Sequence, residues 1–363
     1  MKHIPFLHQE RKRSSGQSEQ VKDFSVFDFN YIPMEPLLRE EGKYLIREMV
    51  RFETTSIATH QTVLGAKGSG KTLTVRYLER IVNTETKLKV IYVNCRRHNT
   101  SFKIFAHFLG VQPRGFSISE LYNRFCQKHK ARTVVVLDEI DLMSPKDKRR
   151  DILYFLSRSE NPYMIIMLSN NYRVLHELDD STMSSLQPKT ICFKHYDAHQ
   201  IQEILKDRAI QGLRSHNEAT LAKIAALTAK RANSDARVAI KTLFYAMTEA
   251  NQDIEVSFEQ ARQDIIAEMV NNLSDPLLMI LQAIATSGSD FAKKIFHSYR
   301  KVCTNLGEKP FSYVHYYANL SYLQSMGLIA LISTKVACTY ANRLVLTFDE
   351  SVLESILRLR FGS

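Results

Sequence analysis

Gly65-Ala-Lys-Gly-Ser-Gly-Lys71-Thr72 is the stretch on which the fold turns. It reads G-x-x-x-x-G-K-T, a glycine-rich loop of the kind that cradles phosphates. Glycines at these positions let backbone N–H groups turn inward onto β- and γ-phosphates. Lys71 adds a point charge, and the Thr72 hydroxyl suits Mg²⁺. The flanks supply the setting such a loop needs. Gln61-Thr-Val-Leu64 reads as a short apolar strand running into it, and residues 72–81 as a helix running out.

Thr133-Val-Val-Val-Leu-Asp138-Glu139-Ile-Asp141 is the matching half. Its β-branched run predicts a buried parallel strand. Two carboxylates stand at the strand's carboxyl end, where open α/β sheets bind ligands. Asp138 is placed there to hold Mg²⁺, directly or through water, and Glu139 to act as general base on an attacking water. Alone, the segment equally fits a buried strand with a solvated acidic turn; the phosphate loop upstream favours the nucleotide reading.

The 363 residues suffice for two or three domains. No apolar run approaches the ~20 residues that span a bilayer, and the first residues lack the apolar core of a signal peptide. The composition thus agrees with a soluble intracellular protein, expected in the cytoplasm, with no membrane partner. Five cysteines (Cys95, Cys126, Cys192, Cys303, Cys338) are scattered without a C-x-x-C pair. Cys95 and Cys192 fall in apolar strand-like runs and read as buried free thiols. The 12 histidines form no metal-ligand spacing. A net charge of +11 favours a polyanionic partner, nucleic acid before membrane.

Four regions follow along the chain. Residues 1–25 are polar and basic, with Arg11-Lys-Arg13, and read as a flexible arm. Residues 26–196 alternate strands and helices, with five strands beginning near residues 61, 89, 133, 163 and 190. Helices are predicted over 37–52, over 101–109 closed by Gly110, and from a capping box at Ser117-Ile-Ser-Glu120 to about residue 130. Residues 197–270 are helical throughout: Asp197 can cap a helix to residue 212, and others span 218–229, 235–251 and 257–271. Asn271-Asn-Leu-Ser-Asp-Pro276 marks a boundary. Residues 271–363 then read as helices over 277–285, 291–306 and 312–326, and strands over 328–333 and 343–348. This is the order of a winged helix-turn-helix, whose third helix enters the major groove of DNA; the same module also serves protein contact.

Together these parts resemble the AAA+ ATPases, and within them the archaeal replication initiators related to subunits of the eukaryotic origin recognition complex and the cell-division-cycle loader. Tyr31-Ile-Pro33 with Arg39-Glu-Glu41 is similar to that family's adenine-side segment, and Leu168-Ser-Asn170-Asn171 to its sensor one. Ser184-Ser-Leu-Gln-Pro188, Ile191-Cys-Phe193 and Tyr196-Asp197-Ala198 resemble its last strand and the turn into the lid. Ser234-Asp-Ala-Arg237-Val-Ala-Ile240 resembles its sensor-two helix. The nucleotide motifs are common to many ATPases; the last two strings are more specific. The likeness runs from about residue 26 to the C-terminus.

The resemblance implies an α/β fold: a AAA+ parallel-sheet ATPase domain (26–196), a helical lid (197–270) and a C-terminal winged helix (271–363). It implies a weak ATPase with ATP/ADP and Mg²⁺ as cofactors. ATP would meet Tyr31, Ile32, Pro33, Gly65, Ala66, Lys67, Gly68, Ser69, Gly70, Lys71, Thr72, Leu73, Tyr196, Arg208 and Arg237. Thr72 and Asp138 would hold the metal, and Glu139 and Asn170 would carry the catalysis. Arg237 would reach from the lid to the phosphates and couple nucleotide state to domain angle. Duplex DNA would be met by Arg114, in the loop 112–116, and by Lys309, Ser312, Tyr313, Tyr316, Asn319, Lys335 and Arg343. Tyr313, Tyr316, Tyr317 and Leu320 cannot all face outward, so core packing is the alternative for the tyrosines.

The implied role is an ATP-dependent origin-binding initiator that helps load the replicative helicase, with paralogous initiators as further partners. The alternatives are an ATP-switched transcription regulator and a mobile-element helper acting through protein contacts. Two departures stand out. Leu178-Asp-Asp-Ser-Thr-Met183 lacks the arginine the family often carries after sensor one, leaving Arg173 as the nearest substitute. The wing, 334–343, carries no glycine and a single arginine. A nucleotide switch with slow turnover fits these better than a fast motor. The third helix has no Lys or Arg, which is poor for bidentate guanine readout and leaves phosphate contacts and DNA deformation to supply affinity.

Overall fold

The computed structural model describes residues 20–144, 147, 150–249, 253–336 and 339–362, with side chains outside 334–341. Most of the expected basic arm and Cys338 lie outside the described residues. The chain divides into two units, one of residues 28–196 and one of residues 20–27 with 197–362.

In the first unit, β1 (Gln61–Gly65), β2 (Lys89–Asn94), β3 (Thr133–Asp138), β4 (Tyr163–Ser169) and β5 (Lys189–Phe193) form one sheet in the order β2-β3-β4-β1-β5. Every pairing is parallel. All five strands lie where the apolar runs predicted them. The two-residue side-chain period feeds both faces. Val134 and Val136 of β3 pack with Leu45, Met49, Val75 and Leu78 on one side. Val135 and Leu137 pack with Phe105, Leu121, Phe125 and Ile152 on the other. The helices supplying these residues are α1 (Glu40–Thr55), α2 (Lys71–Glu85), α3 (Ser101–Leu109), α4 (Ile118–Lys128) and α5 (Asp151–Ser157), with α6 (Asp180–Leu186) beside them. Neither α5 nor α6 was anticipated, because seven residues are too few to display helical periodicity.

One thiol departs from expectation. Cys95 is buried, but Cys192 is exposed. β5 pairs only with β1, so it is an edge strand. Ile191 and Phe193 face the core, and period two turns Cys192 outward.

The second unit begins with a 3-10 turn, Phe24–Phe27, followed by α7 (Ala198–Gly212), α8 (Glu218–Arg231), α9 (Ala236–Thr248) and α10 (Ile254–Asn271). Asp197 and Gln200 form the capping box that starts α7. Then come α11 (Asp275–Thr286), α12 (Ala292–Asn305), α13 (Tyr313–Ser325), the antiparallel pair β6 (Ile329–Val336) and β7 (Thr339–Leu346), and α14 (Glu350–Phe361). β7 starts four residues before the predicted 343, and α14 was not anticipated. The expected boundary near 271–276 does not divide a core. Val238, Phe258, Ile265 and Met269 belong to the same apolar cluster as Leu278, Leu281, Tyr299, Leu320 and Leu353. Among the described residues, no helix is long and apolar enough to cross a membrane.

His60 sits just before β1, 8% exposed, and its Nδ1 accepts the Ile165 N–H of β4 at 3.1 Å. Burial pushes its imidazole down to about 4. A folded-state pKa below the unfolded value of about 6.5 means that the unfolded chain binds the proton first. Stability from this group is complete above pH 6.5 and drains away as pH falls toward 4. His60→Gln is therefore expected to lessen the loss of stability between pH 7 and pH 5 by about 2 kcal/mol, read from urea midpoints of variant and parent at both pH values.

Candidate functional site

β1 delivers the chain at Gly65, where a Cβ would meet the Phe193 carbonyl oxygen at 2.6 Å. The loop then reverses through Gly68 and Gly70, with φ of +74° and +83°. This left-handed region favours glycine. A Cβ on Gly70 would fall 2.0 Å from the Tyr196 hydroxyl oxygen. Ser69 Oγ donates to the Ala66 carbonyl at 2.8 Å and tightens the turn. α2 begins at Lys71, so its first N–H groups and the positive end of its dipole face the loop.

Lys71 is 7% exposed, and its ammonium donates to the carbonyls of Gly65 at 2.7 Å and Ala66 at 2.9 Å and to Asn170 Oδ1 at 2.9 Å. The loop is thereby tied to the end of β4. Thr72 Oγ1 donates to Asp138 Oδ2 at 2.8 Å. The other carboxylate oxygen of Asp138 accepts the Glu139 N–H at 2.9 Å. Glu139 has φ +54°, an uncommon conformation for a side-chain-bearing residue. Its Oε2 accepts from Asn94 Nδ2 at 3.0 Å. Lys71, Thr72, Asp138, Glu139 and Asn170 are thus linked into one cluster at the carboxyl edge of the sheet.

Three residues outside the predicted set complete it. Tyr92 donates its hydroxyl to Asp138 Oδ2 at 2.7 Å, and burial, with the Asp138 charge beside it, pushes that phenol up. Arg39 donates to the carbonyls of Ser69 at 2.6 Å and Lys194 at 2.8 Å, and its guanidinium lies 4.2 Å from the Tyr196 ring centroid. Arg80 donates to the carbonyls of Pro33 at 2.6 Å and Met34 at 2.9 Å, fixing the Tyr31-Ile-Pro33 segment to α2. For Tyr92 and Arg80 the only local hint was polarity on a strand and a helix face; Arg39 stood in the segment that resembles the family's adenine side, without a role of its own.

The remaining candidates divide. Tyr196 is buried and Leu73 half-buried. Arg208 and Arg237 belong to the second unit. Arg208 is 2% exposed and donates to the Val26 carbonyl. Arg237 forks onto Asp235, Nε at 3.0 Å and a terminal nitrogen at 2.6 Å. Arg114, Lys309 and Arg173 are exposed. Ser312 caps α13, Tyr313 is 43% exposed, and Asn319 donates to the His315 carbonyl at 2.9 Å. Arg343 pairs with Asp290. The Lys335 side chain falls outside the described residues.

Tyr316 is a correction. It is fully buried, packed on Phe296 and Tyr299, and its hydroxyl donates to the Ala292 carbonyl at 3.3 Å. It is a core residue and offers DNA no surface. On a helix whose aromatic residues crowd every turn, only packing decides which face turns inward.

The donor set fits a magnesium nucleoside triphosphate. A buried ammonium beside a left-handed glycine loop at a helix N-terminus suits polyphosphate. A hydroxyl and a carboxylate side by side are hard oxygen donors suited to Mg²⁺.

Fold and site together resemble those of the AAA+ nucleotide-binding proteins: a parallel-sheet domain, then helices, then a C-terminal region with the element order of a winged helix. Residues 56–170 match the family described as an AAA domain. The chain is 28% identical over 347 residues to the ORC1-type DNA replication protein 3 of Sulfurisphaera tokodaii, covering 86% of this chain and 87% of the relative. It is 26% identical over 373 residues to the ORC1-type DNA replication protein 1 of Archaeoglobus fulgidus, covering 93% and 90%. Among solved structures, the Aeropyrum pernix ORC1 protein in complex with DNA superposes with a TM-score of 0.67 at 22% identity, over 94% of this chain and 98% of that one. This chain is a homologue of the archaeal ORC1-type DNA replication proteins.

Gly70→Ala adds a methyl that strikes the Tyr196 hydroxyl in a left-handed backbone, whereas Gly110→Ala meets open space at φ +72°. Both carry the backbone strain; only the first carries the clash. Gly70→Ala is expected to destabilise by about 2 kcal/mol more than Gly110→Ala in urea unfolding.

Proposed function

We propose that this protein is an ATP-switched replication initiator. It binds ATP with Mg²⁺ in the loop 65–72, hydrolyses it slowly, grips duplex DNA on the nucleoid, and helps recruit or load the replicative helicase, alongside paralogous initiators where these exist. One observation carries the nucleotide half of this reading. The Lys71 ammonium bridges the phosphate loop and Asn170, beside the Thr72–Asp138 pair. The replication half is supported by the ORC1-type relatives.

Lys71 and the loop N–H groups hold the β- and γ-phosphates. Thr72 and Asp138 hold Mg²⁺, which neutralises phosphate charge when bound. Glu139 accepts the proton of the attacking water, and Asn170 orients that water or the γ-phosphate. The Asn94 amide donates to the Glu139 carboxylate at 3.0 Å and fixes its orientation. The absence of arginine from 178–183 supports slow turnover. Arg208 and Arg237 are proposed lid contacts to the nucleotide. The net charge of +11 supports the duplex as partner, with Arg114, Lys309, Ser312, Tyr313, Asn319, Lys335 and Arg343 as proposed contacts.

Footprinting on the DNA upstream of the chain's own coding sequence separates this reading from its rivals. Protected repeats beside an A·T-rich tract support an initiator, protection confined to promoters supports a regulator, and no protection with a bound transposase-like partner supports a helper ATPase. Lys71→Ala removes the buried ammonium and is expected to weaken ATP binding about a hundredfold in calorimetry. Most basal DNA affinity should survive, and equal ATP affinity in variant and parent would contradict the phosphate-loop assignment. Glu139→Gln is expected to bind ATP as the parent does and to lose about 10²- to 10⁴-fold in turnover; unchanged phosphate release would remove Glu139 from the base role.

A further inference from the structure

Two packed helices of the second unit divide their chemistry sharply. α12 carries Lys293, Lys294, His297, Arg300 and Lys301, all exposed, and no acidic residue. Lys293, His297, Arg300 and Lys301 recur at i, i+4, i+7 and i+8 and share one face. Lys309 is exposed on the turn into α13. α13 itself contains no Lys, Arg, Asp or Glu. The two helices are pinned by Phe296, whose ring centroid lies 5.1 Å from that of Tyr313 and 5.0 Å from that of Tyr316.

The buried side of α13 is Tyr316, Leu320 and Leu323. The opposite side begins with Val314, 80% exposed, while Tyr313, 43% exposed, flanks the buried side. They open the helix, where the second helix of a helix-turn-helix addresses base edges. An uncharged face cannot make the bidentate Arg or Lys contact that reads guanine. Asn319 uses one of its two amide hydrogens on the His315 carbonyl of its own helix. What the major groove offers an aliphatic side chain is the 5-methyl group of thymine.

We propose that α12 holds phosphates through its basic face while the first turn of α13 reads thymine 5-methyl groups, with Val314 as the principal reader. The C-terminal region then favours A·T-rich duplex without any guanine contact from α13. This rests on the DNA-binding reading above, and supplies it with a base preference and with phosphate contacts absent from the expected set. Charge complementarity selects the occupant: a row of exposed cations flanking an apolar reader suits a phosphate-edged groove better than an apolar protein surface.

The full chain with ATP and Mg²⁺ is titrated by fluorescence anisotropy with three duplexes of equal length: mixed A·T, the same duplex with uracil replacing every thymine, and mixed G·C. The A·T duplex is expected to bind tightest, and uracil replacement to weaken it about fourfold for each methyl buried. Val314→Ala, at an exposed position that does not threaten folding, is expected to shrink the thymine–uracil gap to under about twofold. The Lys293→Ala, Arg300→Ala, Lys301→Ala triple variant is expected to weaken all three duplexes alike and flatten the salt dependence by about three units of log–log slope. Equal binding of thymine and uracil duplexes by the parent would overturn methyl reading while leaving DNA binding intact. A full gap persisting in Val314→Ala would overturn Val314 as reader. A triple variant with the parent's affinity and slope would overturn the phosphate role of α12. No binding to any duplex at low salt would bring down the DNA reading itself, and this inference with it.

Discussion

The buried ammonium of Lys71 is the interaction around which the parallel-sheet unit is arranged. A cation taken out of water must have its protons accepted. Here two acceptors are loop carbonyls and one is the Asn170 amide oxygen. These oxygens are neutral acceptors for its hydrogen bonds. The arrangement also ties together β1, the loop, α2 and the end of β4. The glycines follow from it: the loop folds its carbonyls onto Lys71 only by reversing through left-handed backbone, and Tyr196 leaves no room for a side chain at Gly70.

Strand periodicity places the rest. Alternate residues of β3 fill opposite cores, which leaves Asp138 to emerge at the end of an otherwise apolar strand. On β2 the same period puts Tyr92 and Asn94 on one side. In register with β3, Tyr92 reaches Asp138 and Asn94 reaches Glu139. One strand therefore holds both carboxylates of its neighbour. Tyr92 also donates to the oxygen of Asp138 that accepts from Thr72, so the carboxylate is held in one orientation from two sides.

What the residues disclosed in advance was what depends on neighbours in sequence. The phosphate loop, the five strands and the caps at Ser117 and Asp197 are local patterns, and each has a local physical cause. What stayed hidden depends on partners far along the chain. Arg39 serves Ser69, Lys194 and Tyr196, and no spacing in its own segment announces them. Cys192 sits in an apolar run, but its exposure follows from the place of β5 at the edge of the sheet. Tyr316 and Tyr313 stand three residues apart on one helix, yet one is buried and the other exposed. The distinction is made by Phe296 and Tyr299 on α12.

In the second unit the helices before residue 271 and the region after it share one core rather than forming separate ones. The turn before α9 uses two consecutive left-handed residues, Asn233 and Ser234, with φ of 47° and 57°. That turn presses on Gly327, which closes α13: a Cβ there would fall 2.6 Å from Asn233 Nδ2. The Gly327 carbonyl accepts from Thr347 Oγ1 at 2.5 Å, and the Thr347 carbonyl accepts from Arg262 of α10 at 2.6 Å. Arg237 stands two residues beyond the cap of α9, anchored to Asp235. α9 and the end of α13 are therefore joined through packed turns and hydrogen bonds, so the helix that bears Arg237 and the helix that bears Val314 share one packed core.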